Sequence, residues 1–195
     1  MKTRIAIFAS GNGTNAERII QHFEDNPYGE VALIFSNSKK AFVLERAKNH
    51  NIPHYVFNRE DFYKSKHVDE ILKLNGIDFI VLAGFMWLMP ERFIRAFHRR
   101  IINIHPALLP KYGGKGMYGM RVHQAIVDNQ ERETGITIHW VNEKYDEGQI
   151  IFQAKCPVEP VDTAETVAAK VHELEYKHYP QIIEKTILDY RSDHH

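Results

Sequence analysis

The residues best suited to chemistry sit in Asn103-Ile104-His105-Pro106-Ala107-Leu108-Leu109-Pro110, answered downstream by Tyr145-Asp146-Glu147-Gly148. The first segment follows an apolar run, Phe97 to Ile102 with two arginines, and closes on a proline, which suits a strand leaving a sheet. Side chains two apart on a strand share a face, so Asn103 and His105 are expected to project together. They offer an amide donor and a titratable imidazole to one reacting centre. Asp146, on a later turn, supplies a carboxylate that orients or deprotonates the histidine. An amide, an imidazole and a carboxylate are the parts needed to move an acyl group from a carrier to an amine. The same residues also suit a buried polar strand end whose side chains merely hydrogen-bond.

Positioning them requires a scaffold, and the first half of the chain alternates strand and helix signals. Ile5–Ala9, Val31–Phe35, His54–Val56 and Phe79–Ala83 read as strands, the last without polar alternation, as expected where helices cover both faces. Helical spacing falls over Asn15–Phe23, Ala41–Asn49 and one longer stretch, Arg59–Leu74. The second half differs. Thr134–Val141 and Gln149–Lys155 flank the Asp146 turn as an antiparallel pair, and a closing helix spans Thr163–Ile187 with an interruption expected at Pro180. The fold class is α/β: a doubly wound, mostly parallel, Rossmann-like sheet with antiparallel strands added in the C-terminal half. Residues 1–190 form one domain and 191–195 a tail, with His194-His195 as solvated ends. Lys111–Gly119 holds Gly113, Gly114, Gly116 and Gly119 and reads as a mobile loop, a lid, directly after the candidate strand.

Composition bounds the function. A chain of 195 residues can bury roughly two thirds of its unfolded surface in one domain. Lysine plus arginine equals aspartate plus glutamate, 25 each, so no global field favours a polyanion. One cysteine, Cys156, excludes an internal disulfide framework and fits a reducing compartment. The apolar run Ile5–Ala9 is too short for a signal segment, and Phe79–Met89 is too short for a membrane span. A cytoplasmic, soluble chain is expected, with no nucleic-acid or membrane partner, as a monomer or homodimer. The 12 histidines show no zinc-motif spacing, so no metal is expected.

Ser10-Gly11-Asn12-Gly13-Thr14-Asn15 lies between the first strand and the first helix, where free N–H groups and a positive dipole end face an anion. Gly11 and Gly13 let backbone approach a phosphate, and Ser10, Thr14 and Asn15 add donors. The segment lacks the third glycine of a dinucleotide fingerprint and the lysine of a nucleotide P-loop, so a monophosphate fits better. A plain strand-to-helix turn capped by Asn or Thr accounts for the same residues.

Asn-x-His-Pro-x-Leu-Leu-Pro followed by Asp-x-Gly resembles the formyltransferase family that uses 10-formyltetrahydrofolate, over nearly the whole chain from Arg4 to about Pro180. The Ser10–Asn15 segment and the length resemble the members that serve purine (IMP) synthesis. The resemblance implies formyl transfer from 10-formyltetrahydrofolate, as co-substrate, to the amine of phosphoribosylglycinamide. The mechanism expected on this reading has Asn103 and a protonated His105 hold the oxyanion while Asp146 accepts a proton, directly or through water, and keeps His105 oriented. Gly11, Asn12, Gly13, Thr14 and Asn15 would hold the substrate phosphate, and Glu175 would lie on its amine side. The folate would meet Arg59, Phe85, Met86, Trp87, Leu88, Met89, Asn103, Val141 and Asp146. Two departures stand out: Trp87 replaces the usual arginine, and Lys111-Tyr112-Gly113-Gly114 replaces Lys-Tyr-Pro-Gly, with His123 as the histidine that follows. Glu175 also reads as a solvated helical carboxylate, Arg59 as a surface arginine, and Phe85–Met89 as a buried helix start.

Formyltetrahydrofolate hydrolysis would need an N-terminal regulatory domain, for which a first strand near Arg4 leaves no room. Formylation of initiator methionyl-tRNA would need a basic C-terminal domain. Formylation of a nucleotide amino sugar remains open on length alone. A non-catalytic phosphate-sugar binding module would keep Gly11–Asn15 with no need of Asn103, His105 and Asp146 together.

Overall fold

Apolar runs on consecutive strand positions demand cover on both faces, and the computed structural model, which describes residues 1–192, supplies it. Five strands run parallel: β1 (Thr3–Phe8), β2 (Gly29–Ser36), β3 (His54–Val56), β4 (Phe79–Leu82) and β5 (Ile101–His105). Two more, β6 (Glu133–Trp140) and β7 (Ile150–Pro157), add antiparallel beyond β5, and the order across the sheet is β3-β2-β1-β4-β5-β6-β7. Along β1 the side chains alternate between two cores. Ile5 and Ile7 pack with α1 (Thr14–Phe23), α2 (Val43–Asn49), α6 (Met120–Asp128) and α7 (Ala164–Ser192). Ala6 and Phe8 pack with α3 (Arg59–Tyr63), α4 (His67–Leu74) and α5 (Glu91–Ala96). The chain leaves β1 toward β2 and β3 and returns to pair β4 on the other side of β1. That reversal opens a crevice at the carboxyl ends of β1 and β4, where such sheets bind ligands. Among the described residues no helix is long and apolar enough to cross a membrane.

Several element boundaries correct the sequence reading. The helix expected over Arg59–Leu74 is two helices. Asn58 and Asp61 form a capping box at the start of α3. Ser65 Oγ then accepts the His67 N–H at 3.2 Å, opening α4. Arg92 of α5 holds the break, donating to the carbonyls of Phe62 (2.6 Å) and Ser65 (3.3 Å) while its Nε meets Asp69 at 3.0 Å. The strand expected from Phe97 begins only at Ile101, because Phe97 caps α5. Helices α5 and α6 go beyond the elements that periodicity predicts. Of the tail expected at 191–195, Arg191 and Ser192 belong to α7, and the rest, His194-His195 included, lies outside the described residues.

Pro180 does not interrupt α7, which continues to Ser192 with the proline inside. An internal proline costs a helix about 3 kcal/mol, and here packing offsets it. Val171, Tyr179, Ile183 and Ile187 are all buried on one face of the helix. The Tyr179 hydroxyl donates to the Leu82 carbonyl at 2.8 Å, at the end of β4. Burial raises that phenol well above its ordinary range, so it remains a donor. Tyr179→Phe should fold the same way but lose about 0.5–1.5 kcal/mol, the net worth of one hydrogen bond to the buried Leu82 carbonyl. Urea unfolding would measure this, and a loss under about 0.5 kcal/mol would remove that bond from the account of how the helix passes Pro180.

Candidate functional site

β5 ends with Asn103 and His105 on one face, and both line a cavity of about 590 Å³ at the carboxyl edge of the sheet. The antiparallel β5–β6 register sets His139 opposite Asn103 and Thr137 opposite His105. Asn103 Nδ2 donates to His139 Nε2 at 3.1 Å. His139 Nδ1 faces its neighbour's carbonyl, Trp140 O, at 2.9 Å. That carbonyl requires the proton on Nδ1, which leaves Nε2 to accept from Asn103 and fixes which end of the Asn103 amide is spent. His139 escaped the sequence reading. The available signal was a Thr137–His139 pair alternating with Ile136 and Ile138 on an otherwise apolar strand.

Asp146 reaches this group from the turn between β6 and β7. Its backbone is left-handed, with φ 56°, as is unusual for a residue with a side chain. Gly148 makes the turn possible: a Cβ there would stand 1.6 Å from the Trp140 carbonyl oxygen, so only glycine lets the chain lie this close to β6. Asp146 Oδ2 lies 3.5 Å from His105 Nδ1 and accepts the Gly114 N–H at 2.9 Å. Its Oδ1 lies 3.6 Å from His139 Nε2, an electrostatic approach longer than a hydrogen bond. Burial alone pushes the Asp146 carboxyl up, but its neighbours, the Gly114 N–H among them, outweigh it and hold it below 3.8.

His105 is only 4% exposed, and its Nε2 meets the Tyr112 carbonyl at 2.7 Å. Burial lowers its imidazole below 6.5, against the opposing pull of Asp146 and the Tyr112 carbonyl. Burial thus favours the neutral form of His105 in the unliganded site, with the proton on Nε2 toward the Tyr112 carbonyl. The loop read as a lid is divided in the same way. Tyr112, itself at φ 56°, and Gly114 bind His105 and Asp146 directly, and the Tyr112 hydroxyl is tied to Glu131 at 2.9 Å. Residues 112–114 are thus part of the group, and Lys115–Gly119 line the cavity beyond it.

Gly11, Asn12, Gly13, Thr14 and Asn15 line the same cavity. The cap position of α1 is Gly13, at φ 73°, and no side chain caps the helix, so its first-turn N–H groups are free of the Asn or Thr cap considered above. Gly13 owes its identity to the backbone: a Cβ there would lie 2.5 Å from Val43 Cγ2, whereas one on Gly11 would meet nothing within 4 Å. Of the expected donors, Asn15 is engaged elsewhere, whereas Ser10 accepts a bond and keeps its O–H to donate. Ser10 Oγ accepts the Met86 N–H at 3.1 Å, and Asn15 Nδ2 donates to Glu175 Oε2 at 2.9 Å.

Glu175 is not a solvated carboxylate; it is 5% exposed and lines the cavity, with His172 Nδ1 at 2.9 Å. The Glu175 bond raises the His172 imidazole above its ordinary value, against burial. His123 also lines the cavity, and burial with the neighbouring His172 lowers its imidazole to about 4.

Phe85, Met86, Trp87, Leu88 and Met89 line the cavity in irregular backbone rather than a helix, and Val141 lines it as well. Arg59 is not among the lining residues. Its guanidinium lies 4.8 Å from the ring centre of Trp87, which does line the cavity.

Residues 3–183 match the formyl transferase family model. The phosphoribosylglycinamide formyltransferase of Haemophilus influenzae is 40% identical over 186 residues, 92% of this chain and 85% of that one. The chloroplastic phosphoribosylglycinamide formyltransferase of Arabidopsis thaliana is 38% identical over 93% of this chain, which spans 64% of that protein's length. The crystal structure of phosphoribosylglycinamide formyltransferase from Bacillus halodurans superposes with a TM-score of 0.83 at 40% identity, covering 94% of each chain. With its sheet, its site segments and this extent of similarity in agreement, the chain belongs to the formyl transferase family.

Proposed function

We propose that this chain transfers a formyl group from 10-formyltetrahydrofolate to the amine of phosphoribosylglycinamide, giving formylglycinamide ribonucleotide and tetrahydrofolate in purine (IMP) synthesis. The observation that carries this reading is a single cavity lined at once by Asn103, His105 and Asp146, by the Gly11–Asn15 loop and by Phe85–Met89. The loop suits a phosphate monoester, and the apolar segment suits a pterin. The family implies a folate-type formyl donor, and the relatives' names supply the acceptor. Residues 1–190 act as one formyltransferase domain, in the cytoplasm, as the lone cysteine suggests.

In this reading the substrate amine attacks the formyl carbon, and the carbonyl electron pair moves onto oxygen. Asn103 spends one N–H on His139 and offers the other to that oxyanion. The amine proton passes to Asp146, directly or through water. It is then delivered to N10 of the folate as the N10–carbon bond breaks and the carbonyl re-forms. Asp146 ends ionised as it began. The neutral His105, with Nδ1 facing Asp146, steadies the proton in flight. Glu175, with Asn15 and His172, lies toward the amine side of the phosphoribosyl substrate.

Purified protein supplied with both substrates should release tetrahydrofolate and formylglycinamide ribonucleotide. Turnover of 10-formyltetrahydrofolate to formate alone would favour hydrolysis instead. Asp146→Asn should fold and bind both ligands yet lose most of its rate, because an amide is too weak a base to take the amine's proton. Retention of more than about a tenth of the activity, a loss under ~1.4 kcal/mol, would reduce Asp146 to a positional role. Ring-proton NMR of the free protein should show His105 titrating below 6.5, and lower still in Asp146→Asn, where the stabilising carboxylate charge is gone. A midpoint that stays fixed or rises in that variant would uncouple the two residues.

A further inference from the structure

The loop that lines the phosphate end is gripped from behind by a residue outside the cavity. Arg46, in the last turn of α2, donates from Nε to the Asn12 carbonyl at 2.8 Å and from Nη2 to Asn12 Oδ1 at 2.7 Å. Its Nη1 meets Glu17 Oε2 at 3.2 Å, and the other Glu17 oxygen meets His50 Nε2 at 2.7 Å. The guanidinium carbon lies 5.0 Å from the Phe42 ring centre, which limits its freedom to swing. The same helix holds the residues on either side: the Val43 N–H donates to the Gly11 carbonyl at 3.2 Å, and the Val43 side chain fills the space beside Gly13.

A carboxamide has an accepting end and a donating end, whereas a guanidinium can only donate. By taking Oδ1, Arg46 leaves Nδ2 as the uncommitted end of Asn12, on a residue that lines the cavity. Were the amide reversed, an oxygen would face the anion beside the free N–H groups of α1. We propose that Arg46 is a positioning residue for this loop, locking the Asn12 amide so that only donors meet the phosphate monoester of the substrate. This role rests on the reading of Gly11–Asn15 as the phosphate end. Glu17 and His50 complete it by holding the third arm of the fork, and Glu17 stays ionised because His50 and Arg46 outweigh its burial.

Arg46→Lys keeps the charge but loses the planar fork, so it cannot hold the carbonyl and Oδ1 of Asn12 together. Initial rates with both substrates should show the KM for phosphoribosylglycinamide rising about ten-fold or more, as loss of a charged hydrogen bond implies. The kcat and the KM for 10-formyltetrahydrofolate should stay within about two-fold, a split that general loosening of the fold would not produce. Arg46→Ala should show the same split and recover in added guanidinium chloride at concentrations below denaturing. Asn12→Asp, on an exposed loop residue, keeps the Arg46 grip but turns a carboxylate toward the phosphate, and should weaken inhibition by ribose 5-phosphate further than Arg46→Lys does. An unchanged KM for phosphoribosylglycinamide in Arg46→Lys, or equal rises for both substrates, would overturn the positioning role. Wild-type protein indifferent to ribose 5-phosphate would instead overturn the phosphate-end reading, and this role with it.

Discussion

A carboxylate taken out of water must be compensated on every side, and the cost of leaving it unpaired is several kcal/mol. Asp146 imposes that demand on the whole site. Its Oδ2 accepts the Gly114 N–H from the loop after β5, and its two oxygens face His105 from β5 and His139 from β6. Each of these fixes something further. His139 sets the Asn103 amide, and Tyr112, two residues before Gly114, sets the His105 tautomer. The turn that carries Asp146 accepts a left-handed backbone and a glycine pressed against β6 to reach its place. Strain at such a position persists only where the surroundings over-determine it.

The sheet makes this convergence possible. Its reversal between β1 and β4 places the Gly11–Asn15 loop and the Phe85–Met89 segment at neighbouring strand ends, and Ser10 ties them together through the Met86 N–H. The antiparallel β6 then presents His139 beside β5 without an intervening crossover. Three kinds of surface come to one cavity from chain segments that share no local sequence: free amides, apolar side chains and a charged cluster. Two apolar cores, one on each face, hold the strand ends in register.

Much of this was legible in the sequence. The continuous apolar runs Ile5–Ala9 and Phe79–Ala83 announce strands covered on both faces, and the spacing of Asn103 and His105 announces a shared face. What escaped depends on tertiary contact. His139 acquires its importance only from the register of β6, which no local pattern encodes. The break between α3 and α4 is held by Arg92 from a later helix, and Pro180 is carried within α7 by a buried face. The protonation of His105 likewise follows from burial depth, which spacing alone does not supply. Arg59, matched by resemblance to a ligand position, turns out to rest on Trp87, the residue that departs from the family pattern.

The bond between Asn15 and Glu175 joins residues 160 positions apart, and Tyr179, one turn beyond Glu175, pins the same helix to β4. Contacts of such sequence separation carry a large loop-closure cost and slow the search for the native state. The consequence reaches into synthesis on the ribosome. The Gly11–Asn15 loop cannot acquire its carboxylate partner until Glu175, 160 residues beyond Asn15, has emerged. A nascent chain can therefore build its first strands and helices early while the ligand cavity remains incomplete. Assembly of the site thus waits on the docking of α7.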